Sequence, residues 1–248
     1  MEVRLLGPFE VLVDGAPVAV PDRLRSLLAA LALAPGQVVT VETLARAIWG
    51  EDLPGRVKGS LQTSVMRLRQ AVGDDAIATC PGGYRLHADI DVERFHQLVE
   101  RAKAAVDDIA ERALLAGAVA LRRGEALAGI PSPTLREEHG PLLDERFLAA
   151  LERRVDLDLA ANAGAELCGE LHALVVRFPL REPLWERLIR ALAGAGRTAE
   201  ALAAYARCRD LFTDELGVEP NARLRQLHLD LLRAAEEPAP TEPPSPAP

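Results

Sequence analysis

Leu53-Pro54-Gly55-Arg56-Val57-Lys58-Gly59-Ser60-Leu61-Gln62-Thr63-Ser64-Val65-Met66-Arg67-Leu68-Arg69-Gln70-Ala71-Val72-Gly73 is the stretch that decides the fold. It holds four cations, Arg56, Lys58, Arg67 and Arg69, and not one Asp or Glu, in a chain of net charge -8. At about 100° per residue, Leu61, Val65, Leu68 and Val72 share a narrow stripe, which predicts an amphipathic helix buried along that side. The opposite side shows Arg56, Gly59, Thr63, Met66, Arg67 and Gln70.

A carboxylate-free polar face over an apolar stripe suits a helix lying in a DNA major groove. Arg67 would offer a bidentate donor pair to guanine, and Gln70 both a donor and an acceptor. Thr63 and Met66 would touch thymine methyls. Arg56 opens the segment, and Lys58 and Arg69, set more to the side, would hold phosphates, which position a protein without specifying sequence. An ordinary solvated surface helix would explain the charge alone, but not the flanking elements.

Those flanks are the parts of a winged helix-turn-helix. Upstream, a first helix is predicted from Asp22 to Ala34, stopped by Pro35-Gly36, and a second from Thr40, a capping residue, through Leu44 and Ile48 to Trp49 and Gly50. Downstream, Ile77 to Cys80 and Tyr84 to Ala88 pair as a hairpin about Pro81-Gly82-Gly83. Trp49 reads as a core anchor whose indole N–H could reach a phosphate, and Tyr84 as a ring packed on the cationic helix. Nearer the N-terminus, Val3 to Leu6, Phe9 to Val13 and Val18 to Val20 predict short strands, broken at Gly7-Pro8 and Asp14-Gly15.

From about Asp91 the composition turns Ala- and Leu-rich and reads as helical, which places a domain boundary there. Trp185, Ala201, Tyr205 and Cys208 recur thirty-four residues earlier as Leu151, Leu167, Leu171 and Leu174. That period belongs to tetratricopeptide-type helical hairpins, each of which hides its apolar face by stacking on the next. A more degraded copy is placed at about Val92 to Arg123. Trp185 and Tyr205 therefore read as repeat core. Residues Glu237 to Pro248 are half proline and predict an extended tail.

The fold class is thus mainly α with a small β component: a winged helix-turn-helix over residues 1–90, an all-α tetratricopeptide-like domain over 91–236, and a tail over 237–248. Residues 3–88 resemble the OmpR-type winged helix of the Streptomyces antibiotic regulatory protein family. The likeness is carried by Val3-Arg4-Leu5-Leu6-Gly7-Pro8, Ile48-Trp49-Gly50, Leu61-Gln62-Thr63, Val65-Met66-Arg67-Leu68-Arg69 and Pro81-Gly82-Gly83-Tyr84-Arg85-Leu86. Residues 91–236 resemble that family's bacterial transcriptional activation domain through Phe178-Pro179-Leu180-Arg181-Glu182, Gly196-Arg197 with Glu200-Ala201-Leu202, and Glu215-Leu216-Gly217-Val218-Glu219-Pro220.

The resemblance implies an activator that binds direct repeats in double-stranded DNA as a side-by-side homodimer and recruits RNA polymerase holoenzyme, with control of a secondary-metabolite gene cluster as the expected role. It places the loop Glu51 to Gly55 near polymerase. Members often carry a basic residue just before Pro-Gly-Gly-Tyr; this chain has Cys80, which leaves the wing contact to Arg85 or Thr79.

Composition excludes other classes. The longest apolar run, Leu27 to Ala34, is far short of the roughly 18 residues a membrane span needs, and Met1-Glu2-Val3-Arg4 leads into no apolar segment, so the expected compartment is the cytoplasm. Cys80, Cys168 and Cys208 form no C-x-x-C pair, and the latter two read as small core residues. His87, His96, His139, His172 and His228 have no ligand spacing, and Glu137-Glu138-His139 reads as a solvated surface turn, so no metal site is expected. With no phosphate cradle, nucleophile elbow or dinucleotide motif, neither a cofactor nor an enzymatic activity is expected. Two rival readings stand beside the activator. One is a protein-interaction scaffold whose winged helix does not bind DNA; the other is the N-terminal part of a larger multidomain regulator, with Glu237 to Pro248 as its linker.

Overall fold

The computed structural model describes residues 1–161 and 164–236, so the expected tail lies outside the described residues. The chain forms two compact units, Met1–Leu151 and Glu152–Pro248.

The first unit opens with a four-stranded sheet. Strands β1 (Glu2–Arg4), β2 (Glu10–Val13) and β3 (Ala16–Pro17) pair antiparallel in succession, and β7 (Asp89–Ile90) runs parallel to β1 on its other side. Asp14 and Gly15 both take positive φ, 50° and 80°, as a two-residue hairpin loop twisted with its strands requires. That tight turn brings β3 forward to Ala16–Pro17 from the expected Val18 to Val20.

Three helices follow, with boundaries close to those predicted: α1 (Asp22–Ala32), α2 (Val41–Trp49) and α3 (Val57–Val72). The Thr40 hydroxyl accepts the Thr43 N–H at 3.2 Å, capping α2. Leu27, Leu28, Leu31, Leu44, Leu61 and Leu68 are fully buried where the three helices pack together. A second sheet, in the order β4 (Val39–Thr40), β6 (Gly83–Leu86), β5 (Ile77–Cys80), forms the wing. The hairpin turn is Pro81-Gly82 alone, with Gly82 at φ 81°, and Gly83 belongs to β6.

The composition boundary at Asp91 marks a change of secondary structure and not a break in packing. Helix α4 (Asp91–Lys103) begins with Asp91, whose buried carboxylate accepts the N–H of Leu5 at 2.8 and 2.9 Å and that of Leu6 at 2.8 Å. Helix α5 (Asp108–Ala120) folds back on α4, making the hairpin expected between Val92 and Arg123. The segment after α5 then returns to the first sheet: the N–H groups of Arg123 and Leu127 donate to the carbonyls of Leu6 and Leu5, and that of Phe9 to Ala128. These backbone bonds are why residues 91–130 join the first unit.

Helix α6 (Pro133–Ala160) spans the division between the units. Glu137-Glu138-His139 lies within it, so the expected surface turn there is helix. Pro141 disguises it: a proline removes one hydrogen bond and reads as a breaker, yet this helix carries it internally.

In the second unit α7 (Gly164–Arg177), α8 (Glu182–Gly194), α9 (Thr198–Leu216) and α10 (Ala222–Glu236) pack in sequence order. The thirty-four-residue repeat has its structural basis here. Trp185, Ala201, Tyr205 and Cys208 are buried, as are Leu167 and Leu171, while Leu174 is only half-buried beside a buried Val175; Leu151, the last residue of the first unit, is buried as well. The Trp185 indole donates to the Pro179 carbonyl at 2.7 Å, which satisfies its polar edge inside the unit. Burial pushes the Cys208 thiol up to about 12, consistent with an inert core residue.

Candidate nucleic-acid interface

Helix α3 sits on α1 and α2 through Leu61, Val65, Leu68 and Val72, each buried to 3% exposure or less. That contact fixes the rotation of the helix, and the opposite face turns outward. Gln62, Thr63, Met66, Arg67 and Gln70 are exposed, with Met66 at 53%. The Thr63 hydroxyl donates to the Gly59 carbonyl at 3.1 Å, which leaves its oxygen able to accept. Lys58 is exposed in the first turn. Arg56 is the residue before the helix, at φ -128°, so the helical face expected to include it begins one residue later.

Electrostatically the face is open. Arg56, Lys58 and Arg67 make no ion pair with any described residue, whereas elsewhere in the first unit Arg4, Arg25, Arg46, Arg122 and Arg123 are paired with carboxylates. Unpaired cations on a carboxylate-free face repel one another slightly and gain nothing from their own fold. They leave this face of α3 free to receive an anion.

Arg69 is placed differently. Its Nε and Nη2 both donate to the Ile77 carbonyl, at 3.0 and 2.6 Å, and Nη2 also reaches Thr79 Oγ1 at 2.8 Å. Arg69 and Thr79, both read from the sequence as DNA contacts, are thus engaged with each other. Alternation along β5 puts Ile77 and Thr79 on one face, and that face receives the Arg69 side chain. The guanidinium ties the wing to α3. Arg69→Ala is therefore expected to lower stability by about 1.5–3 kcal/mol, the range for hydrogen bonds to a charged group, while Gln70→Ala has almost no effect; thermal unfolding of the two variants checks this.

On the wing, Arg85 is half-buried with its Nε unsatisfied, and the register sets it opposite Ala78 on the face away from Thr79. Tyr84 is buried, and Cys80 is half-buried near the turn. Trp49 is half-buried at the end of α2, beside a groove of about 610 Å³ that runs along the flank of α3. Arg23, from the start of α1, lines the same groove. Sequence reading passed over Arg23 because it lies outside the acid-free stretch and follows Asp22.

A three-helix core with an outward third helix and a clamped hairpin defines the winged helix-turn-helix class of transcriptional regulator. Residues 15–86 match the family described as transcriptional regulatory protein, C terminal, and residues 90–232 match the bacterial transcriptional activator domain. The chain belongs to the Streptomyces antibiotic regulatory protein family. It is 34% identical to the regulatory protein DnrI of Streptomyces peucetius over 94% of this chain and 93% of DnrI. It is 40% identical to the regulatory protein AfsR of Streptomyces griseus over 99% of this chain, spanning only 26% of AfsR. The solved structure of Mycobacterium tuberculosis EmbR in complex with a low affinity phosphopeptide superposes with a TM-score of 0.83 at 30% identity, covering 94% of this chain and 65% of that one. The architecture read from the sequence, a winged helix followed by an activator-type helical domain, agrees with both the fold and these relatives. Among the described residues no helix is long and apolar enough to cross a membrane.

Proposed function

We propose that this protein is a sequence-specific DNA-binding transcriptional activator that lays α3 in the major groove. Arg67 and Gln70 read base edges, Thr63 and Met66 meet thymine methyls, and Lys58 and Arg56 hold phosphates. Trp49 and Arg85 contact the flanking backbone, and Arg69 with Thr79 orients the wing. The protein acts as a side-by-side homodimer on direct repeats, offers the loop Glu51 to Gly55 to RNA polymerase holoenzyme, and governs a secondary-metabolite gene cluster from the cytoplasm. The observation that carries this reading is the exposed, carboxylate-free face of α3 with its unpaired Lys58 and Arg67.

Footprinting and salt-titrated shift assays on promoter DNA test it. Arg67→Ala is expected to weaken operator binding by about 1–3 kcal/mol and to relax discrimination against unrelated duplex. Lys58→Ala is expected to weaken both duplexes alike and to reduce the salt slope by about 1. Absence of any shift on promoter DNA at low salt would overturn the reading in favour of an interaction scaffold.

A further inference from the structure

The groove beside α3 carries a second cation that the acid-free stretch does not supply. Arg23 and Arg67 line it from α1 and α3, together with Asp22, Trp49, Ser60 and Ser64. Arg23 is exposed and makes no ion pair with any described residue. The adjacent Asp22 is answered instead by Arg25, at 3.3 Å, and Arg25 is anchored by donating to the Val20 carbonyl at 2.8 Å. One carboxylate is thereby neutralised and two guanidiniums are left facing the groove.

The hydrogen-bonding inventory points to the same ligand. Ser64 spends its proton on the Ser60 carbonyl at 3.0 Å, whereas the Ser60 hydroxyl and the Trp49 indole N–H have no partner among the described residues. With the Arg67 guanidinium assigned to base edges, the groups left for a ligand in the groove are mainly donors: the Arg23 guanidinium, the Ser60 hydroxyl and the Trp49 indole N–H. A ligand that answers them accepts hydrogen bonds, donates none and is negatively charged, which is the chemistry of a phosphodiester.

Position decides which phosphodiester. At about 100° per residue, Ser60, Ser64 and Arg67 lie on one flank of α3, and Lys58 with Arg69 lies on the opposite flank, toward the wing. A helix about 10–12 Å across fills a major groove about 12 Å wide, so each flank of such a helix faces one of the two strands that bound the groove. The wing flank meets one strand. We propose that the groove between α1 and α3 seats the other strand, with Arg23 as its principal phosphate ligand. This inference rests on the DNA-binding reading above.

The test uses the full chain with Arg23→Ala and Arg23→Gln, titrated with operator and unrelated duplex at several salt concentrations. Both variants are expected to lose roughly tenfold in affinity by the same factor on both duplexes, and to lower the slope of log affinity against log salt by about 0.9. A scan of single methylphosphonates across the operator is expected to reveal one phosphate whose neutralisation weakens the wild type and leaves Arg23→Ala unaffected. If Lys58→Ala lowers the slope and Arg23→Ala, equally folded by thermal unfolding, does not, the seat is wrong while the DNA reading stands. Wild-type binding with no salt dependence overturns both. Saturable binding of inorganic phosphate without DNA, abolished by Arg23→Ala, marks a free-anion site and overturns the strand assignment.

Discussion

Asp91→Ala is expected to be among the most damaging single changes in the first unit, with a loss of about 2–6 kcal/mol. The carboxylate is 5% exposed and accepts the N–H groups of both Leu5 and Leu6. Truncation strands two buried donors, at about 1–3 kcal/mol each, where water cannot replace the acceptor. Asp91→Asn keeps one oxygen, and Oδ2 alone reaches both donors, so the amide is expected to lose much less. A pH dependence separates charge from hydrogen bonding. Burial pushes the Asp91 carboxyl above its ordinary value of 3.8, while the N–H groups of Leu5, Leu6 and Val92 and the Arg123 guanidinium pull it back. A carboxyl raised in the folded state binds more protons there than in the unfolded chain, so its contribution falls as pH climbs above 3.8. The stability advantage of wild type over Asp91→Asn should therefore shrink from strongly acidic pH toward neutrality. An advantage that grew over that range would mean the N–H donors outweigh burial.

Gly83→Ala is expected to break the wing. A Cβ at Gly83 would stand 2.0 Å from the Val39 carbonyl oxygen and 2.8 Å from its carbon, both backbone atoms of the neighbouring strand β4. No rotamer relieves such a clash, so β4 and β6 must part and their ladder bonds are lost. The expected cost is about 3 kcal/mol or more, at the upper end for overpacking, or several degrees in Tm. Gly82→Ala is the control. Its Cβ meets open space, and the penalty is the positive φ of 81° alone, about 1–2 kcal/mol. Calorimetry of the pair should rank Gly83→Ala as the worse by a clear margin, and equal losses would refute a β4–β6 approach this close.

Much of this architecture was legible because the decisive signals are local. The stripe of Leu61, Val65, Leu68 and Val72, the Thr40 cap and the turn glycines each act within a few residues, and the helix limits follow them closely. Strands β4 and β7 were not legible: two residues have no periodicity, and Val39–Thr40 and Asp89–Ile90 are strands only because β6 and β1 lie beside them. The same holds for the site. Exposure of Thr63, Met66, Arg67 and Gln70 follows from helical phase, but the Arg69 clamp depends on the β5 register and the place of Arg23 on how α1 packs. The composition change at Asp91 coincides with the junction between the two family matches, 15–86 and 90–232, but gives no sign that residues 91–130 pack with the first unit. Apart from the Asp91 carboxylate, the tethers are backbone bonds, which carry no side-chain signature.

Those tethers bear on how members of this family can be recombined. The three-helix unit looks like a cassette to be traded at the junction near residue 90, but the connection between β1 and β2 donates N–H groups to the Asp91 carboxylate and the Ala128 carbonyl and accepts those of Arg123 and Leu127. A transplant cut at that junction would arrive with the backbone groups of Leu5, Leu6 and Phe9 unpartnered. On the proposed reading, specificity is better exchanged by rewriting the outward positions of α3 than by grafting the domain, and any graft that is made must carry residues 91–130 along with it.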